Sequence, residues 1–169
     1  MITEALYETF GKSSELQKRA IFANIFVVQN RLQTACDELE EEITMKQWLL
    51  LAMVSVFPVP PTLTALGESM GCSRQNVKKL AAALEKKGYL YIRQSEIKAS
   101  AAEIILSEKA KAYENNSKEL HEEVLQLLFQ DFNEKEISTF YNYIKKLYSG
   151  LVRIEKMTES ERNNENEET

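Results

Sequence analysis

Arg74, Gln75 and Asn76 stand in succession and are followed closely by Lys78 and Lys79. A guanidinium, two carboxamides and two ammonium groups at this density can hydrogen-bond to base edges and pair with phosphates. Val77, Leu80, Ala81 and Leu84 fall among and after them at the i, i+3, i+4, i+7 spacing of a buried helix face. The same helix therefore carries an apolar face and a basic, amide-rich one. Ser73 offers its hydroxyl as the N-cap. Gly71, just before the cap, is free to take positive φ and reverse the chain. Gly67 lacks a side chain where the second helix must cross the first. Residues 62–90 thus read as two short helices joined by a tight turn, the arrangement of a nucleic-acid-reading unit.

Lysines also line the outer face of many solvated helices that bind nothing, so the local charge matters. Residues 62–98 hold seven basic side chains against three acidic ones, a balance of +4 within a chain of −5. The remainder carries −9. A basic island on an acidic protein is suited to phosphate attraction confined to one surface, and unsuited to coating nucleic acid or membranes indiscriminately.

Cys36 and Cys72 form no metal-ligand pair, and His121 is the only histidine, beside Glu122 and Glu123 on a polar helical stretch. No glycine-rich phosphate loop, nucleophile elbow or paired metal ligands are present, so neither an enzyme nor a bound metal or cofactor is expected. Cys72 lies beside Arg74 at a helix start, where a thiol can be activated. It is the redox candidate, weighed against the commoner reading of a small buried hydrophobe. The N-terminus has no signal-peptide pattern, and the apolar run of residues 48–57 is too short to span a bilayer. A cytoplasmic protein with no membrane partner is expected.

With five glycines and three prolines in 169 residues, long helices must position the reading unit. Residues 13–40 read as one helix, apolar nearly all round through "AIFANIFVVQNRL", which calls for cover on more than one face. Thr44 with Gln47 is a capping-box pattern opening a core helix that stops at Pro58. Thr62 caps the first helix of the reading unit, and Gly88 stops the second. "YLYIRQ" and "EIIL" then read as a hairpin. Ser107 opens a helix expected to run to about Phe129. Asn133 with Glu136 opens a last one bearing Ile137, Phe140, Ile144, Leu147 and Leu151. The terminal "TESERNNENEET" reads as disordered.

The order of these elements, with "LTALGESMGCSRQNVKKLAAALEKKGYLYI" as the most specific segment, resembles the MarR family of transcriptional regulators. "LEKKGYL" is similar to the family's junction between recognition helix and wing. "LSEKAKAY" is similar to its Leu-Thr-x-x-Gly motif, with Ser107 for Thr and Ala110 for Gly. The resemblance implies a mainly α fold with a small β-hairpin, a winged helix-turn-helix with long N- and C-terminal dimerisation helices. Its regions would be an N-terminal dimerisation helix (1–43), a DNA-binding lobe (44–106), C-terminal dimerisation helices (107–155) and an acidic disordered tail (156–169).

It further implies a homodimeric repressor on double-stranded DNA at a pseudo-palindromic operator. Arg74, Gln75 and Asn76 would read base edges, with Ser73, Lys78 and Lys79 on phosphates, Arg93 and Lys98 in the wing, and Thr62 as a further DNA-binding candidate. The family's wing usually carries Asp-x-Arg. Those positions are Lys98 and Ser100 here, so the expected arginine is absent. Release by a small molecule lodged between the dimer helices and the DNA-binding lobe is also implied. Phe22, Phe26, Trp48, Met53, Phe57 and Tyr113 are candidate pocket residues, set against plain core. The alternative reading is a winged helix used as a protein–protein module without specific DNA binding.

Overall fold

The computed structural model describes residues 11–95 and 101–167, with side chains through 161. The helical lead-in read before Gly11 therefore lies outside the described residues. Two compact units are resolved, Met1–Asn115 and Asn116–Thr169.

In the first unit, helix α1 (Ser14–Leu39) is capped by the Ser13 side chain. Helix α2 (Met45–Val56) opens on the expected capping box, with Thr44 and Gln47 each bonding the other's backbone N–H. Helix α3 (Leu63–Met70) is capped by Thr62 and ends at Gly71, whose φ of 63° is left-handed. Helix α4 (Arg74–Lys86) is capped by Ser73. Gly88, at φ 81°, turns the chain into an antiparallel hairpin of β1 (Leu90–Gln94) and β2 (Ala102–Leu106), which pairs Ile92 with Ile104. Helix α5 (Glu108–Asn116) follows, its Ala110 N–H bonded to the Ser107 hydroxyl.

The core sits where α2, α3, α4 and the hairpin meet. Leu50, Leu66, Val77, Ala81, Leu84, Tyr89, Leu90 and Ile104 are fully buried there. Each buried valine or leucine stabilises the fold by roughly 1.5–3 kcal/mol, so one face of α4 is held firmly inward. The hairpin is tied in on both sides. Facing residues of a non-hydrogen-bonded antiparallel pair direct their N–H groups outward. That of Ile104 reaches the Pro61 carbonyl at 3.0 Å, and that of Ile92 reaches Glu85 Oε1 at 2.7 Å.

The second unit consists of α6 (Lys118–Phe129) and α7 (Glu134–Glu167). Asn133 and Glu136 form the expected reciprocal cap of α7. Two expectations are corrected. The helix opened by Ser107 does not run unbroken to Phe129, because Asn115, Asn116 and Ser117 are weak helix formers and the chain breaks at Ser117. In turn, α7 continues to Glu167 through the segment read as disordered. Its glutamates, Lys156, Met157 and Arg162 are good helix formers, so low apolar content does not end the helix there. No helix among the described residues is long and apolar enough to cross a membrane.

A Cβ added at Gly67 would stand 2.7 Å from the Cys72 carbonyl oxygen, a backbone atom that cannot move alone. Gly67→Ala is therefore expected to cost about 1–3 kcal/mol in urea denaturation. Gly71→Asn should cost less, because asparagine tolerates the left-handed region and a Cβ added there would meet nothing within 4 Å beyond its chain neighbours.

Candidate nucleic-acid interface

Because Val77, Ala81 and Leu84 are buried, α4 must present its other face to solvent. Arg74, Gln75, Asn76, Lys78 and Lys79 are all exposed on it. The helix begins with Ser73 Oγ accepting the Asn76 N–H at 3.2 Å, so three of the five side chains stand on its first turn. The helix dipole places partial positive charge at that end, alongside the Arg74 guanidinium. The face can offer amides to base edges and cations to phosphates at once.

Thr62 is placed differently. Its hydroxyl accepts the Ala65 N–H at 3.2 Å, and its backbone bridges to Glu103 of β2. Its side chain holds α3 in place. In the wing, Arg93 is exposed on β1 with its guanidinium 5.6 Å from the Tyr91 ring centroid, and Tyr91 shares that strand face. Lys98 and Ser100 lie outside the described residues.

Lys87 belongs to the basic island by sequence, but its ammonium bonds inside the lobe. Nζ donates to the Glu42 carbonyl at 2.7 Å and to Gln47 Oε1 at 3.2 Å. Beside it, Lys109 Nζ pairs with Glu42 Oε1 at 2.9 Å, donates to the Lys87 carbonyl at 3.2 Å and lies 4.3 Å from the Tyr89 ring centroid. Tyr89 stacks edge-on with Tyr113 at 5.6 Å, and the Tyr113 hydroxyl bonds the Glu40 carboxylate. The Tyr89 hydroxyl and the Lys109 ammonium hold the Glu42 carboxyl below its ordinary range. Burial and the Glu42 carboxylate raise the Tyr89 phenol. The sequence offered no local signal for this cluster, since it joins three separate stretches of chain, residues 40–47, 87–89 and 109–113.

The candidate effector residues have three settings. Phe22 and Phe26 stack edge-on along α1 at 5.4 Å and stay exposed, at 65% and 55%. Trp48, Met53 and Phe57 are partly buried against the core, and Tyr113 is buried with its hydroxyl on Glu40. Cys72 is half-buried against the core, and Cys36 is a free thiol raised by burial and by Asp37. Among the described residues no group of three or more His, Cys, Asp or Glu side chains could hold a metal ion.

No family model matches the sequence, and no curated protein matches it significantly. Solved structures do match in fold. A MarR/EmrR family transcriptional regulator from Acinetobacter sp. ADP1 is similar at a TM-score of 0.73 and 19% identity, over 80% of this chain and 97% of that one. MepR of S. aureus, solved as a DNA complex, is similar at 0.69 and 18%, over 77% and 97%. The organohalide-sensing regulator RdhR in its 2,4-dichlorophenol-bound form is similar at 0.69 and 18%, over 83% of each chain. A cationic, amide-bearing helix face, a glycine-set turn before it and a hairpin after it thus stand on the winged-helix fold of MarR-family transcriptional regulators.

Proposed function

We propose that the chain is a transcriptional regulator that binds double-stranded DNA sequence-specifically, a repressor acting as a homodimer on a pseudo-palindromic operator. One observation carries the reading. Arg74, Gln75, Asn76, Lys78 and Lys79 are exposed together on the helix whose opposite face is fully buried. They sit at the place in the fold where a winged helix enters the major groove. The shared fold with a regulator solved on DNA supports it.

Dimerisation follows from what a single chain leaves uncovered. α1 has no buried residue, and Ile21, Phe22, Ile25, Phe26, Val27 and Val28 are all exposed. On α7, Ile137, Phe140, Ile144, Leu147, Leu151 and Ile154 repeat at alternating spacings of three and four and are also exposed, the seam that a partner helix covers. We read both faces as the surface of a second copy, with residues 1–43 and 107–155 as the dimer regions and 44–106 as the DNA lobe. Two recognition helices would then enter successive major grooves roughly 34 Å apart.

The same reading includes release by an aromatic small molecule held near Phe22, Phe26, Trp48, Met53, Phe57 and Tyr113. The dichlorophenol bound by one similar regulator supports that class of effector. An oxidant acting on Cys72 is a separate signal in this reading. Peroxide is expected to release the parent protein from DNA and to leave Cys72→Ser bound; no response in the parent would contradict it.

Alanine variants on a duplex enriched from a random pool test the division of labour. Gln75→Ala and Asn76→Ala are expected to lose about 1–3 kcal/mol at the base each reads and to relax preference there. Lys79→Ala should weaken specific and random DNA alike and lower the salt slope by about 0.9 for each phosphate it no longer neutralises. Equal losses on specific and random DNA in all three variants would contradict the assignment. Titrating aromatic hydroxy acids and phenols into the preformed complex should release DNA, read by fluorescence anisotropy.

A further inference from the structure

A helix placed against DNA is a rod, and two fixed points set its direction. For α4 one point is the turn at Gly67 and Ser73. The other is its C-terminal end, where Lys87 caps the helix and its side chain reaches back to a different part of the lobe. We propose that Lys87 is a positioning residue for DNA reading. Its ammonium straps the end of the recognition helix to the corner between α1 and α2, so that the setting of α4 follows the end of α1. The proposal rests on the DNA-binding reading above.

Several bonds make this corner one body. Gln47 Oε1 accepts the Thr44 N–H of the α2 cap and the Lys87 ammonium together, so neither can shift without disturbing the other. Lys109 brackets the strap from α5 by pairing with Glu42 and donating to the carbonyl of Lys87 itself. The Asp37 carboxylate accepts the Met45 N–H, and Tyr113 bonds Glu40, which ties the last turn of α1 to α2 and α5. Any change that moves the end of α1 therefore reaches residues 87–89. Since α1 bears the exposed apolar face read above as the dimer surface, the strap carries the state of that surface to the reading helix. In this proposal Lys87 acts through its bonds to the Glu42 carbonyl and the Gln47 amide and not through a phosphate. This separates it from Lys79.

The test compares Lys87→Met, which keeps most of the alkyl stem and loses the ammonium, with Lys87→Arg, Lys109→Met and Lys79→Ala. Folding is first checked by circular dichroism, and the parent's own binding is measured alongside. Lys87→Met is expected to bind the selected duplex about tenfold more weakly, the scale of one charged hydrogen bond. Its affinity for random DNA and its salt slope should stay at the parent's values, while Lys87→Arg restores specific binding. A slope lowered by about 0.9 would make Lys87 a phosphate contact and overturn the proposal, as would unchanged specific binding. General destabilisation would weaken specific and random DNA alike and would also overturn it. Should Lys87→Met fail to fold, Lys109→Met is read by the same criteria.

Amide exchange without DNA supplies a separate arm. Lys87→Met should speed exchange at residues 84–90 and also at 40–47. A change at 84–90 alone would refute the strap. Failure of the DNA-binding reading itself would show as absence of specific binding by the parent protein, which the exchange result does not mimic.

Discussion

At Gly67 the backbone of α3 comes so near the Cys72 carbonyl that a Cβ would lie 2.7 Å from it and 3.4 Å from the Arg74 nitrogen. That approach sets where α4 starts and how it crosses α3. Gly71 completes the reversal, Ser73 caps the new helix, and Val77, Ala81 and Leu84 then fall into the core. Once those three are buried, the placement of Arg74, Gln75, Asn76, Lys78 and Lys79 on the outside follows from the helical period. The charged face is a consequence of the crossing and the core. It needs no contact of its own to hold it outward.

What was legible in the sequence is what local chemistry determines. The caps at Thr44, Thr62, Ser73, Ser107 and Asn133 each bond a partner two or three residues away, so residue type and spacing reveal them. Gly71 and Gly88 adopt the left-handed conformation that their places at helix ends imply. The roles that stayed hidden depend on distant partners. Lys79 and Lys87 look alike in the basic island, and only Glu42 and Gln47, 45 and 40 residues before Lys87, distinguish them. Tyr113 reads as an aromatic pocket residue until its hydroxyl is found on Glu40, 73 residues away. The backbone of Thr62 bridges to Glu103 of β2, a pairing that its local cap pattern does not announce. Composition misled at α7, where scarcity of apolar residues is compatible with helix.

The wing shows how the fold and the proposed reading share residues. Glu85 leaves the exposed side of α4 to accept the Ile92 N–H, so one carboxylate satisfies the outer edge of β1 and joins the recognition helix to the hairpin. Tyr91 and Arg93 share the solvent face of β1, with the guanidinium against the ring. Arg93 is thus the described wing cation, and the exposed face of α4 has the larger share of donors.

In the function proposed above, two copies of this chain present two α4 faces to one duplex. Enrichment of bound fragments from a random double-stranded pool by the purified protein tests it most directly, because sequence, symmetry and spacing are recovered together. The expected product is a pseudo-palindrome whose half-sites are centred about 10 base pairs apart, one helical turn. Recovery of no preferred sequence, or of a single unrepeated site, would contradict it.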